Sequence, residues 1–194
     1  SSGGGTQFRH GIATTASMSP WRARTRRRAA DVVALRFASP LPRGNGVAVV
    51  GTGGGPSVLA SDEMEKAGLH LPCLSPEIQA ELKQFLPIAG AIFSNPVDAT
   101  TLLSPEAISP TMRLLGKVPD IHILIYHLGF HPVSRWGDGQ FCSTTFLQPT
   151  IDALIQAQQV TGKPIVLALR PALDLRGMKD FLVTQEAFVR AGFP

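Results

Sequence analysis

The chain has few cysteines and no long hydrophobic run. Its 194 residues include only two cysteines, Cys73 and Cys142, which lie far apart and without a CxxC pattern. Neither a disulfide framework nor a zinc site is therefore predicted. No uninterrupted apolar run approaches the roughly 20 residues that span a bilayer, and the N-terminus lacks the apolar segment of a secretory signal. These absences predict a cytoplasmic, one-domain protein with no bound metal and no membrane partner.

Acidic residues are absent from the first 28 positions. This segment carries six arginines: Arg9, Arg22, Arg24, Arg26, Arg27 and Arg28. Subtracting these six charges from the formal net charge of +4 leaves −2 for the rest of the chain, so the basic character is local. Such a cluster can bind nucleic acid, but concentrated like charge beside the leading "SSGGGT" favours a poorly ordered, solvated arm. We predict an arm over residues 1–28 and a folded domain over residues 29–194, with nucleic-acid binding as the weaker alternative.

Apolar and amphipathic segments alternate after this arm. The predicted strands are "VAVVG" (47–51), "LHLPCL" (69–74), "AIFS" (91–94), "DIHILIYHL" (120–128) and "KPIVLAL" (163–169). The predicted helices cover 30–39, 57–69, 75–86, 104–118 (interrupted or shifted by Pro110), 144–162 and 175–192. Apolar strands separated by amphipathic helices favour a mainly parallel sheet covered on both faces. The expected fold is an α/β, flavodoxin-like or Rossmann-like three-layer sandwich.

The segment "VAVVGTGGGPSVLASD" (47–62) is a glycine-rich turn between a strand and a helix. It is not a dinucleotide fingerprint, because Pro56 stands where GxGxxG needs its third glycine, and it lacks the GxxxxGK[ST] pattern of a nucleotide P-loop. Glycines allow close backbone approach, and free N–H groups at the start of the helix, near Ser57 and Val58, would attract an anion. Two interpretations remain: an anion site or simply a tight turn.

Ligands of parallel α/β sheets lie outside the carboxyl ends of the strands. The glycine turn, "NPVD" (95–98), "GFHP" (129–132) and "RPALD" (170–174) are expected at that edge. Asn95 and Asp98 either bond their own loop backbone around Pro96 or line the active edge. His127 and His131 are expected at this edge as well, and not as zinc ligands, since the intervening glycine opposes a helix.

The glycine turn and "NPVD" together resemble the NDP-forming acid–CoA ligases, the acyl-CoA synthetase group related to succinyl-CoA synthetase. That family has a valine-rich strand, Thr-Asn-Ala-Gly-Gly-Pro-Gly, a helix and then Asn-Pro-Val-Asp. The similarity runs from about Asp31 to Pro194 and includes "GKPIVLALRPALDL" and "FVRAGFP". Gly51, Thr52 and Gly53 depart from the pattern, and Ser57 replaces a glycine.

The resemblance implies a domain that supplies one of two helix N-termini to a phosphorylated histidine. In this family, acyl-CoA, phosphate and NDP interconvert with acid, CoA and NTP. The positions that match the phosphate-binding run and its helix are Gly54, Gly55, Pro56, Ser57 and Val58, and Thr52, Asn95, Pro96 and Asp98 would form the active-edge loop. The family's phosphohistidine lies N-terminal to this domain, and "RHGIATTAS" makes His10 the candidate, with an unstructured tail residue as the alternative.

The resemblance also implies partners. ATP-grasp and CoA-binding modules would complete the enzyme, so CoA, ATP or ADP, and Mg are expected in the assembly and no cofactor on this domain alone. The isolated chain is expected to be inactive and to expose an apolar strip beside "KPIVLAL" that pairs with a second copy or with a partner module. A different class remains open, a non-catalytic regulatory or scaffolding domain that retains the fold.

Overall fold

A computed structural model describes residues 40–129, 144–170 and 175–193, which belong to one compact unit. Along the chain the elements are β1 (Val47–Gly51), α1 (Gly54–Lys66), α2 (Pro76–Phe85), β2 (Val97–Asp98), a 3-10 turn (Thr100–Leu103), α3 (Pro105–Gly116), β3 (Ile123–Gly129), α4 (Thr144–Thr161), β4 (Ile165–Arg170) and α5 (Leu175–Arg190). The predicted arm, the predicted helix at 30–39, His10, His131 and Cys142 lie outside these residues. No helix in the described part of the chain is long and apolar enough to cross a membrane.

The four strands form one parallel sheet in the order β2-β1-β3-β4. Gly51 is level with Asp98 on one side and with His127 on the other, and His127 is level with Ala168. Because all strands run the same way, their carboxyl ends share one edge, as the sequence predicts. The glycine turn and "NPVD" therefore meet at that edge.

Helices cover both faces of this sheet. One face packs against α1 and the segment that follows it, through Val47, Val49, Ile123 and Ile125 in the sheet and Met64, Leu69 and Leu71 outside it. The other face forms the larger core, in which Ala48, Val50, Leu124, Tyr126 and Leu128 join Leu82, Ile108, Met112, Leu115, Leu154 and Phe188 from the other helices. Successive residues of each strand point to opposite faces of the sheet. The predicted three-layer α/β sandwich is confirmed.

Two predicted strands are wrong. The segment "LHLPCL" makes a single parallel bridge, His70 to Gly46, and "AIFS" makes a single antiparallel bridge, Ile92 to Asp98. The strand beside β1 is instead the two-residue β2. Pro72 lacks the N–H that would continue a ladder from His70, and the chain reverses before β2, so apolar composition alone overestimated strand length at this edge.

The helices agree with the sequence except at two positions. The prediction for α1 places its start at Ser57, three residues too late, because α1 begins at Gly54. The interruption or shift predicted at Pro110 is also wrong, since α3 runs from Pro105 to Gly116 and is continuous through Pro110. Burial of the opposite face of α3, with Ile108 and Met112 fully inside, offsets the hydrogen bond that a proline cannot donate.

Candidate functional site

The glycine turn packs closely against the carboxyl end of β3. A Cβ added to Gly51 would lie 2.5 Å from the carbonyl oxygen of His127 and 2.9 Å from its Cβ, so no side chain fits there. Two residues later, Gly53 has a φ of 100°, a region that L residues with side chains rarely adopt. These two glycines allow the chain to leave β1 and enter α1 without a longer loop.

The N-terminus of α1 presents two free backbone donors. The N–H of Gly53 donates to Oδ1 of Asp98 at 3.1 Å, and Pro56 has no N–H. The N–H groups of Gly54 and Gly55 have no hydrogen-bond partner among the described residues. Gly55 is exposed, and a Cβ added to it would meet no atom within 4 Å. Two adjacent unpaired amides therefore stand at the positive end of a 13-residue helix, on the exposed Gly55 and the half-buried Gly54, where an anion is attracted.

Ser57 and Val58 do not provide the free amides that the sequence predicts there. Because α1 begins at Gly54, the Ser57 N–H donates to the carbonyl of Gly53 at 3.1 Å, and the Val58 N–H belongs to the helix interior. Proline is favoured in the first turn of a helix, so Pro56 was the signal that could have moved the predicted start. The accessible donors are those of Gly54 and Gly55.

Asp98 caps α1 from a neighbouring strand. Its Oδ2 accepts the hydroxyl hydrogen of Ser57 at 3.1 Å, while its Oδ1 accepts the Gly53 N–H. The residue is 5% exposed, and its backbone exchanges two hydrogen bonds with Ile92, at 2.7 and 2.9 Å. Since α1 has no cap from its own side chains, this carboxylate fixes the start of the helix against β2.

The side chain of Asn95 hydrogen-bonds to backbone groups, mostly those of β1. Its Oδ1 accepts the N–H of Val49 at 3.0 Å, and its Nδ2 donates to the carbonyls of Val47 and Pro72, at 2.6 and 3.2 Å. Both amide hydrogens are thus in use, and the following peptide bond to Pro96 is cis. The structure places Asn95 as a loop-shaping residue.

The remaining predicted residues are divided between the two ends of the sheet. Thr52 is buried directly after β1, and Pro96 is half-buried before β2. His127 is buried at the carboxyl end of β3 beside Gly51. His122, expected within a strand, precedes β3 and lies at the amino end, where it lines a cavity that sequence analysis did not find.

A parallel α/β sheet with a glycine turn and unpaired helix amides at its carboxyl edge is an arrangement that favours anions at that edge. The chain belongs to the Ligase-CoA domain family, whose model matches residues 47–189. It is 42% identical to the alpha subunit of ADP-forming acetate–CoA ligase II of Pyrococcus furiosus. The aligned 93 residues make up 48% of this chain and 20% of that protein. With the alpha subunit of ligase I of the same organism, identity is 26% over 147 residues, 74% of this chain and 29% of the relative. The resemblance to acid–CoA ligases is confirmed, and the chain spans less than a third of these relatives' length.

Solved structures have the same fold. PH0766 from Pyrococcus horikoshii OT3 superposes with a TM-score of 0.64 at 28% identity, covering 84% of this chain and 35% of that one. The dinucleotide-forming acetyl-coenzyme A synthetase 1 of Ca. Korarchaeum cryptofilum, solved with phosphate and ADP, superposes with a TM-score of 0.55 at 19% identity, over 84% and 38% of the two chains. The second likeness concerns the fold alone.

Proposed function

We propose that this domain is a module of an NDP-forming acid–CoA ligase, which interconverts acyl-CoA, phosphate and NDP with acid, CoA and NTP. In this proposal the N-terminus of α1 binds the phosphoryl group of a phosphohistidine intermediate. The observation that carries it is the pair of accessible N–H groups on Gly54 and Gly55. The ligase names of the relatives support the reaction class.

The chemistry required of this module is electrostatic. A phosphoryl group on histidine carries negative oxygens, and amide donors that are already oriented stabilise that charge without reorganising. The dipole of α1 adds to this attraction at its first turn. The buried carboxylate of Asp98, which holds Gly53 and Ser57, lies close enough to oppose very tight anion binding. A phosphoryl group at the N-terminus of α1 is therefore stabilised and can still be transferred.

Other parts of the assembly would supply the nucleophile and the nucleotide. His10 is proposed as the phosphorylated residue. ATP-grasp and CoA-binding modules would bind ATP or ADP with Mg, and CoA, leaving this domain without a cofactor of its own. The cytoplasm, where these substrates occur, is the proposed location.

Labelled ATP tests the proposal directly. The full chain is mixed with ATP-grasp and CoA-binding modules of a related ligase, and acid-labile label on histidine is measured together with CoA-thioester formation. The proposal expects both, with label reduced at least about tenfold by Gly55→Ala, because a methyl group there stands in the path of the anion. Val58→Ala, on the same helix but without a free N–H, is the matched control and should keep full labelling.

The same experiment examines the second candidate, a non-catalytic regulatory or scaffolding domain. The observation that favours it is that Asp98 already occupies the positive end of α1, and Ser57, which bonds to it, replaces the family's glycine. If neither labelled histidine nor thioester forms, although the added modules are active with the corresponding domain of their own ligase, the result supports the scaffolding function. If labelling persists in the His10→Asn variant, the phosphorylated residue is a different histidine.

A further inference from the structure

A second polar cavity lies at the amino end of the sheet. Its volume is about 150 Å³, and its lining consists of Leu41, Arg43, His122, Thr161, Gly162, Lys163 and Pro164. His122 immediately precedes β3, and Pro164 immediately precedes β4. The glycine turn follows the other end of the five-residue β1, about 16 Å away at 3.3 Å per residue. The cavity is therefore separate from the proposed phosphohistidine site.

The charges around this cavity have one sign. Arg43 and Lys163 contribute the charged side chains of the lining, His122 adds an imidazole, and no carboxylate is among the lining residues. The ion pairs of the described residues join Lys66 to Glu63 and Arg190 to Glu186, so neither Arg43 nor Lys163 takes part in one. Positive charge is thus gathered here without a described counter-charge.

The side chains of Lys163 and His122 are held in place. The Nζ of Lys163 donates to the carbonyl of Val118 at 2.8 Å, which leaves its other two hydrogens available. Partial burial lowers the pKa of Lys163, so a neighbouring anion would relieve a desolvation cost that the lysine already bears. A Cβ on Gly44 would lie 2.4 Å from Cδ2 of His122, which shows that the imidazole packs directly on the backbone of Gly44.

The size of the cavity limits what it can bind. Pockets for drug-sized ligands are roughly 300–1,000 Å³, whereas a single water molecule needs about 10–15 Å³ of cavity volume. Nucleotides and CoA are therefore too large, but a small ion fits. A guanidinium, an ammonium and an imidazole come from three separate segments of the chain, those that precede β1, β3 and β4. Such donors suit an anion that offers several oxygens.

We propose that this cavity binds a tetrahedral oxyanion of the inorganic phosphate class, with Arg43 and Lys163 as its main contacts and His122 completing the site. The proposal does not depend on the glycine turn. It assigns the domain a second anion site, on the opposite edge of the sheet from the one that the reaction would use.

The test is a titration of the full chain with inorganic phosphate, followed by amide NMR. We expect saturable shifts at Gly162 and Lys163 with millimolar or tighter affinity, weakened at least about fivefold by Arg43→Gln and by Lys163→Gln. Arg113→Gln, which removes an exposed arginine of α3 outside the lining, is the matched control and should change nothing. The shifts should persist in Gly55→Ala, which separates the two anion sites.

Arg43 is the decisive position, because it is exposed and its loss should not affect folding, whereas Lys163 bonds to Val118. Shifts that do not saturate, or that Arg43→Gln leaves unchanged, would overturn the site. Acetate binding as tightly as phosphate would overturn the tetrahedral assignment.

Discussion

The hydroxyl of Ser57 donates to the carboxylate of Asp98 across 3.1 Å, although the two residues are 41 positions apart, and both side chains are buried. This bond joins the first turn of α1 to β2. The same carboxylate holds the Gly53 N–H, so the orientation of the free amides next to it depends on a residue of another strand.

Loss of this carboxylate should destabilise the domain. Asp98→Ala leaves the buried Ser57 hydroxyl and the Gly53 N–H without their acceptor, and we expect a loss of about 2–4 kcal/mol in the free energy of unfolding. Ser57→Ala should cost about 1 kcal/mol, and the double variant less than the sum of the two, because they share one bond. Urea unfolding measures all three. Glu63→Ala, which breaks only the exposed pair with Lys66, serves as the control; additive costs would contradict the coupling.

Removing only the charge of Asp98 should strengthen anion binding at the glycine turn. Asp98→Asn retains an acceptor for Gly53, and its amide can donate to Ser57, which also accepts hydrogen bonds. The repulsion removed is about 1 kcal/mol for unit charges about 4 Å apart with the full screening of water, so phosphate affinity should rise roughly threefold to tenfold. The amide shifts of Gly54 and Gly55 report this affinity. Unchanged or weaker binding would mean that no anion approaches these amides.

Adjacent glycines of the turn should respond differently to a methyl group. Gly55→Ala adds a Cβ to open space, so the unfolding free energy should change by less than about 0.5 kcal/mol while phosphate affinity falls. Gly53→Ala forces a residue with a side chain to a φ of 100° and should cost about 1–3 kcal/mol. Thermal unfolding and phosphate titration of both variants distinguish a ligand effect from a folding effect.

Asn95 should contribute more to the free energy of unfolding than a half-buried loop residue usually does. Asn95→Ala removes three hydrogen bonds to the backbone of Val47, Val49 and Pro72, and we expect a loss of about 2–4 kcal/mol. Asn95→Asp should be nearly as damaging, since a carboxylate cannot donate to the two carbonyls. The control is Asn45→Ala, which breaks one exposed bond to Gly68 and should cost under about 1 kcal/mol. Similar losses at both asparagines, measured by urea unfolding, would contradict this account.

Tyr126 should couple stability to alkaline pH. It is the chain's single tyrosine, is 1% exposed and donates to the carbonyl of Leu102 at 2.8 Å. Burial raises its pKa above the ordinary value near 10, because the phenolate would lose its hydration. The unfolded chain therefore releases this proton first, and stability that is complete below about pH 10 declines as pH rises further.

Tyrosinate absorbance and circular dichroism should then change together in an alkaline titration. Tyr126→Phe should lose about 1 kcal/mol at neutral pH and show a weaker decline above pH 10. Ionisation of Tyr126 in a protein that keeps its helical signal would refute the coupling.

The sequence predicts the sheet and most helices because their signals are local. The apolar segments of β1, β3 and β4 and the Ser75–Pro76 start of α2 needed no knowledge of distant residues. The edge beside β1 failed for the opposite reason, since His70 and Asn95 bond to it from far along the chain. Family resemblance identified the glycine turn, but local spacing could not show that Asp98 would bond to Ser57. The cavity around Arg43 and Lys163 likewise depends on contacts that only folding creates.

The carboxamide of Asn95 is chemically equivalent to a peptide group, and it occupies the place where a further stretch of strand would bond to Val47 and Val49. With β2 only two residues long, this side chain closes the stretch of the border between the His70 carbonyl, which accepts the Val47 N–H, and the β2 ladder. An incoming strand from another molecule would find no row of vacant donors and acceptors there. This asparagine therefore closes a stretch of one flank of the fold, and the opposite flank of the described sheet is formed by β4.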